Sequence, residues 1–197
     1  MAQDTHIDTS PGGRQALIAL GANAGSPAGA PEATLRAAMA RIEALGTGAR
    51  HSRLWRSPAF PAGSGPDFVN AATAIETELG AEALLGALHE IEAEFGRERR
   101  TRWGPRSLDL DLLALGDLLC PDLAGWSLWR DLPLDRQARE APDRLVLPHP
   151  RLQDRGFVLL PLSEVAPDWR HPVTGSDVVA MRDALPPGAR EGLEPLG

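Results

Sequence analysis

The chain has 197 residues, 43% of them hydrophobic, and a formal net charge of −7. That length suits one domain with a proper core, and the acidity argues against broad, nonspecific nucleic-acid binding. All 20 basic residues are Arg, which excludes a P-loop lysine, and the single Cys120 excludes an internal disulfide or a cysteine-based zinc site.

Residues 1–14 are polar, contain Pro11-Gly12-Gly13, and read as a disordered tail ahead of a single domain over 15–197. Ala16 to Leu20 is a buried strand closed by the turn signal Gly21-Ala22-Asn23-Ala24-Gly25. This apolar run is too short for a signal segment or a membrane span, so a cytoplasmic protein without membrane partners is expected. Leu35, Ala38, Met39, Ile42 and Leu45 recur at helical spacing after Pro31, predicting a helix over 31–45. His51 to Ser57 is a second strand, and Phe68 to Ile75 a third. Leu84, Leu85, Leu88, Ile91 and Phe95 stripe a second helix that Gly96 ends.

The fourth strand, Leu108 to Leu115, follows a cluster of Arg97, Arg99, Arg100, Arg102 and Arg106. The stretch 116–144 reads as an irregular insertion, with Trp126 and Trp129 packing it. A short apolar helix is expected near 157–165 and a last one over 176–185. The order β-α-β-β-α-β predicts a ferredoxin-like α+β fold: an antiparallel sheet with helices on one face, plus a C-terminal extension.

Strand alternation then assigns faces. On the third strand Val69, Ala71, Thr73 and Ile75 suit the helix-packed face, which puts Phe68 and Asn70 on the other. On the fourth, the leucines take the packed face and leave Asp109 and Asp111 beside Phe68 and Asn70. Two carboxylates about 7 Å apart on one strand repel unless a cation sits with them. A hard, oxygen-loving divalent ion such as Mg²⁺ would remove the conflict, and the neighbouring arginines would hold phosphate.

The run from Gly96 through Arg97, Arg99, Arg102-Trp103-Gly104-Pro105-Arg106 to Leu108-Asp109-Leu110-Asp111 resembles the signature of the 6-hydroxymethyl-7,8-dihydropterin pyrophosphokinase family of folate biosynthesis. Pro148-His149 with Arg155-Gly156-Phe157, the segments Ser57-Pro58 and Pro66 to Ala72, and Ala19 to Asn23 are similar to its other blocks, although Ala22 stands where a serine is usual. The resemblance implies transfer of the pyrophosphoryl group of ATP to the pterin hydroxymethyl, releasing AMP. It implies two Mg²⁺ ions on Asp109 and Asp111, with Arg97, Arg99 and Arg106 as catalytic cations. It assigns ATP binding to Arg97, Trp103, Arg106, His149 and Arg155, with His89 and Glu92 approaching the nucleotide. It assigns the pterin to Ser57, Pro58, Phe60, Phe68, Asn70 and Phe157, the two phenyl rings sandwiching it. Small-molecule partners, no nucleic acid and a monomer are expected. His6, His51, His89 and His171 show no metal-ligand spacing and are expected at the surface.

Two other functions share parts of this pattern. Paired aspartates also serve two-metal nucleases and polymerases. The β-α-β-β-α-β order also builds RNA-recognition domains, but this sheet carries acids where aromatic residues would stack bases.

Overall fold

The computed structural model describes residues 13–59, 63, 65–96, 106–133, 136 and 140–196. Its strands are β1 (Arg14–Ala22), β2 (Thr47–His51), β3 (Trp55–Ser57), β4 (Phe68–Thr77), β5 (Asp109–Leu115) and β6 (Glu194–Pro195). They form one antiparallel sheet in the order β5-β1-β4-β3-β6, with β2 also paired to β4. The helices are α1 (Pro31–Glu43), α2 (Ala81–Glu94), α3 (Leu123–Arg130), α4 (Gly156–Val165) and α5 (Val178–Asp183). The ferredoxin-like expectation holds.

On one face α1 and α2 close the main core. Leu35, Ala38, Met39 and Ile42 of α1, with Leu84, Leu88 and Ile91 of α2, pack on Ile18, Leu20, Val69, Ala71, Ile75, Leu110 and Leu112. Pro31 starts α1, where its missing N–H costs nothing, and Gly96, at φ +77, takes the left-handed turn that ends α2.

Four sequence-based expectations change. Helices lie on both faces, because α4 covers part of the second face, with α5 packed against α4: Val158, Leu159, Leu162 and Val165 pack on Leu17, Ala72, Ala74 and Leu113. The first strand begins at Arg14 and runs through Gly21 and Ala22, which are still paired to Asn70 and Val69. Arg14 is thus part of the first strand, and Gly21 serves the sheet rather than a turn.

The expected second strand is two. His51 opposes Thr73 and Trp55 opposes Asn70, so one extra residue is accommodated between them. Ser52 fills this break, its Oγ accepting from Ala72 N–H (2.9 Å) and donating to the Arg53 carbonyl (2.7 Å). The fourth change is α3, which lies inside the stretch expected to be irregular. Asp122 caps it by accepting from Gly125 N–H at 2.7 Å.

Candidate active site

The uncovered half of the second face holds the chemistry. Asp109 pairs with Gly21 of β1, Gly21 with Asn70 of β4, and Asn70 with Trp55 of β3. One row across the sheet thus carries a carboxylate, a glycine and an amide on the same side. One step along, Asp111 pairs with Ala19 and Ala19 with Ala72. Small residues in the middle strand leave the surface between the aspartates and the Asn70–Phe68 pair shallow. A Cβ built on Gly21 would meet Asn70 Oδ1 at 3.6 Å and Phe68 at 4.0 Å.

Each aspartate has a guanidinium partner. Arg106 forms an ion pair with Asp109, and Arg155 Nη1 lies 3.8 Å from Asp111 Oδ2. Arg155 sits at the N-terminus of α4, so the helix that roofs the far half of the face also delivers Arg155 and Phe157 to its open half. Phe157 is 40% exposed, and the Arg155 guanidinium lies 5.8 Å from its ring. Burial presses Arg155 below its ordinary pKa, while Asp111 pulls it back up.

His149 lies in the same cluster. Burial, then Arg155 and Arg151, push its imidazole down to about 3, so it is neutral. Its Nδ1 accepts from Arg151 N–H (3.1 Å), which assigns the proton to Nε2. Arg151 is held by Asp154 (2.8 Å). Asp111, His149, Arg151, Arg155 and the exposed His89 line one open cleft of about 500 Å³.

On the other side Ser57 and Asn70 are buried, and Asn70 Nδ2 donates to Ser57 Oγ at 2.9 Å. The donor end of that amide is thereby engaged. Phe68 is half-buried and Pro58 exposed.

Several expectations are placed differently. Glu92 is 1% exposed, and its Oε1 accepts from Leu110 N–H at 2.7 Å, so it props the aspartate strand from beneath. His171 is fully buried between Trp126 and Trp169, at ring separations of 5.3 and 5.8 Å, not at the surface. His51 is half-buried, its ring nitrogens bonded to Thr73 and Glu43. Phe60, Arg97, Arg99 and Trp103, with Arg100 and Arg102, lie outside the described residues.

Asn23 is a site component that sequence reading leaves without a role. Its Oδ1 accepts from Arg106 N–H (2.8 Å), its Nδ2 donates to the Pro66 carbonyl (3.2 Å), and its own N–H donates to the Arg106 carbonyl (3.0 Å). One buried amide therefore ties Arg106, beside the aspartates, to the loop that leads into Phe68. Its place directly after Gly21-Ala22 was the available signal.

Comparison with known proteins decides the family. The model of the 7,8-dihydro-6-hydroxymethylpterin-pyrophosphokinase family matches residues 17–167. The chain belongs to this family. It is 37% identical to the 2-amino-4-hydroxy-6-hydroxymethyldihydropteridine pyrophosphokinase of Pseudomonas aeruginosa, over 93% of this chain and 97% of that one. The Methylorubrum extorquens pyrophosphokinase is 36% identical, over 91% of this chain and 97% of its own length. With the Synechocystis enzyme identity is 39% over 67% of this chain, which spans 57% of that relative's length.

Among solved structures, the Plasmodium falciparum protein HPPK-DHPS superposes with a TM-score of 0.60 at 15% identity. The match covers 91% of this pyrophosphokinase-family chain and 43% of that one, and it supports the fold.

Proposed function

We propose that this protein transfers the pyrophosphoryl group of ATP to the hydroxymethyl group of 6-hydroxymethyl-7,8-dihydropterin, giving the pterin diphosphate and AMP for folate biosynthesis. The observation that carries the reading is the row across the sheet. It joins an aromatic and amide patch at Phe68, Asn70 and Ser57 to a pair of arginine-flanked carboxylates, with only Gly21 and Ala19 between them. A flat acceptor and a polyphosphate donor set side by side on such a surface need little more than alignment to react.

The bond that forms joins the hydroxymethyl oxygen to the β-phosphorus. The bond that breaks leaves its bridging oxygen on AMP. In this reading Arg106 and Arg155 hold charge on the transferred group, and neutral His149 offers an Nε2–H to a phosphate oxygen. Phe68 and Phe157 hold the pterin plane, Asn70 Oδ1 accepts from its edge, and Pro58 with Phe60 closes the pocket. Arg97 and Arg99 serve as further cations and Trp103 as part of the nucleotide site. His89 faces the nucleotide cleft, and Glu92 acts through β5.

Asp109 and Asp111 fit a pair of Mg²⁺ ions. They are oxygen donors two residues apart on one face, half-open to solvent, each with a guanidinium beside it. Bound there, the ions would neutralise the triphosphate and polarise the transferring phosphoryl group. The reading further takes residues 15–197 as one catalytic domain, acting as a cytoplasmic monomer on small molecules. Among the described residues no helix is long and apolar enough to cross a membrane.

Incubation with ATP, Mg²⁺ and the reduced hydroxymethylpterin should release AMP, and chelating Mg²⁺ should stop turnover. Stoichiometric ADP would mean transfer of the γ-phosphoryl group alone and would sink the proposal. Asp109→Ala and Asp111→Ala should each stay folded and lose most turnover. A variant retaining more than about a tenth of kcat, a loss of only ~1.4 kcal/mol, would take that aspartate out of the metal site.

A further inference from the structure

Helix α3 has no task in the proposed reaction, yet its Trp129 lines the cleft beside Asp111. Trp129, Leu145 and Val146 line that cleft together with Leu85 of α2 and Leu112 of β5. The same cleft carries His149, Arg151 and Arg155, the groups suited to phosphate. It therefore has cationic and apolar groups, with Glu140, Asp143 and Arg144 also in its wall, and among its described lining residues Trp129 supplies the one indole ring.

Trp129 is also held in place. One turn earlier on α3, Trp126 is 4% exposed and donates its Nε1–H to the Pro148 carbonyl at 2.8 Å, next to His149. At the helix end, Arg130 reaches Asp154 at 3.6 Å, the same carboxylate that holds Arg151. So α3 is tied at two points to the segment that bears His149, Arg151 and Arg155. Trp126 is spent on the core, whereas Trp129 is half-buried and keeps surface at the cleft.

We propose that Trp129 is the platform on which the nucleobase of bound ATP stacks, and that α3 is a wall of the nucleotide site. The inference rests on the pyrophosphokinase reading for the nucleotide itself. A nucleoside triphosphate needs cations for its phosphates and a flat apolar surface for its base. The cleft offers both, and an aromatic ring gives a base a stacking partner whose loss is felt about tenfold in affinity.

The test is a calorimetric titration of the full chain with Mg²⁺ and either α,β-methylene ATP or inorganic tripolyphosphate, which has no base. Trp129→Ala should raise the Kd for the ATP analogue about tenfold or more and leave that for tripolyphosphate within about twofold. Trp129→Phe should stay near wild type for both ligands. Trp129→Leu, which keeps apolar bulk without a ring, should follow the alanine variant and covers the case in which that variant folds poorly. An unchanged Kd for the ATP analogue, or equal weakening of both ligands, overturns the proposal, the latter showing that Trp129 merely supports the phosphate residues. If wild type binds tripolyphosphate no more weakly than the ATP analogue, the base gains nothing from the site and the platform is again overturned. A wild-type protein that binds the analogue but releases no AMP from ATP in the presence of Mg²⁺ and the reduced hydroxymethylpterin would instead remove the catalytic reading and leave the platform standing.

Discussion

Asn23 shows how much of the site hangs on one side chain that touches neither proposed substrate's reacting atoms. Its two tethers can be cut separately because an amide has a donor end and an acceptor end. Asn23→Asp keeps an oxygen for Arg106 N–H but replaces the donor to the Pro66 carbonyl with a second acceptor, which repels it. This variant should bind an ATP analogue nearly as wild type does while losing about tenfold in pterin affinity, as the loop before Phe68 drifts. Asn23→Ala, which frees both segments, should lose affinity for both substrates and about 1–3 kcal/mol of stability, the cost of orphaning buried polar groups. Two titrations with each variant, plus a melting curve, check this. Equal losses for both substrates in Asn23→Asp would show that the two halves of the site do not move independently.

At the scale of elements, the aspartate strand depends on α2. Glu92 lies on the same buried stripe as Leu84, Leu88 and Ile91, yet it presents a carboxylate that accepts from Leu110 N–H, between Asp109 and Asp111. Glu92→Ala should therefore lower Tm and reduce kcat by disturbing β5. Glu92→Gln, which keeps the acceptor oxygen, should recover most of the Tm. A kcat lost equally in both variants would assign Glu92 a direct part in the reaction. Periodicity made α1, α2, β4 and β5 legible, because each buries one regular stripe or alternating face. The aspartate pair was legible for the same reason, since alternation fixes which side chains share a face. The break between β2 and β3 was not, because a serine hydroxyl rather than a Gly or Pro makes it. Helix α3 was hidden by its eight residues and its Gly125, although Asp122 followed by Trp126 and Trp129 at helical spacing was a usable signal. The role of Asn23 was hidden by distance: it meets Arg106 across 83 positions, and no local pattern encodes such a contact.

For the molecule as a whole, two histidines held below their ordinary pKa make stability depend on pH. His149 is pushed from 6.5 to about 3, by burial first and then by Arg155 and Arg151, with Asp109 opposing. His171 is lowered too, by burial and by Arg130, between the rings of Trp126 and Trp169. Each folded-state pKa lies below the unfolded one, so between the two values the unfolded chain binds more protons. The stability these groups contribute is therefore complete above about pH 6.5 and is lost progressively as pH falls toward the folded values. Tm should drop between pH 7 and pH 4, and His149→Gln should make that drop shallower, so that the wild-type and variant curves converge in acid. Parallel curves would mean that His149 titrates normally in the fold. Bound tripolyphosphate should act the other way. Its charge favours the imidazolium, so the rise in Tm that it produces should grow as pH falls from 7 to 5 in wild type and grow less in His149→Gln. If the variant matches wild type here, His149 does not face the phosphates.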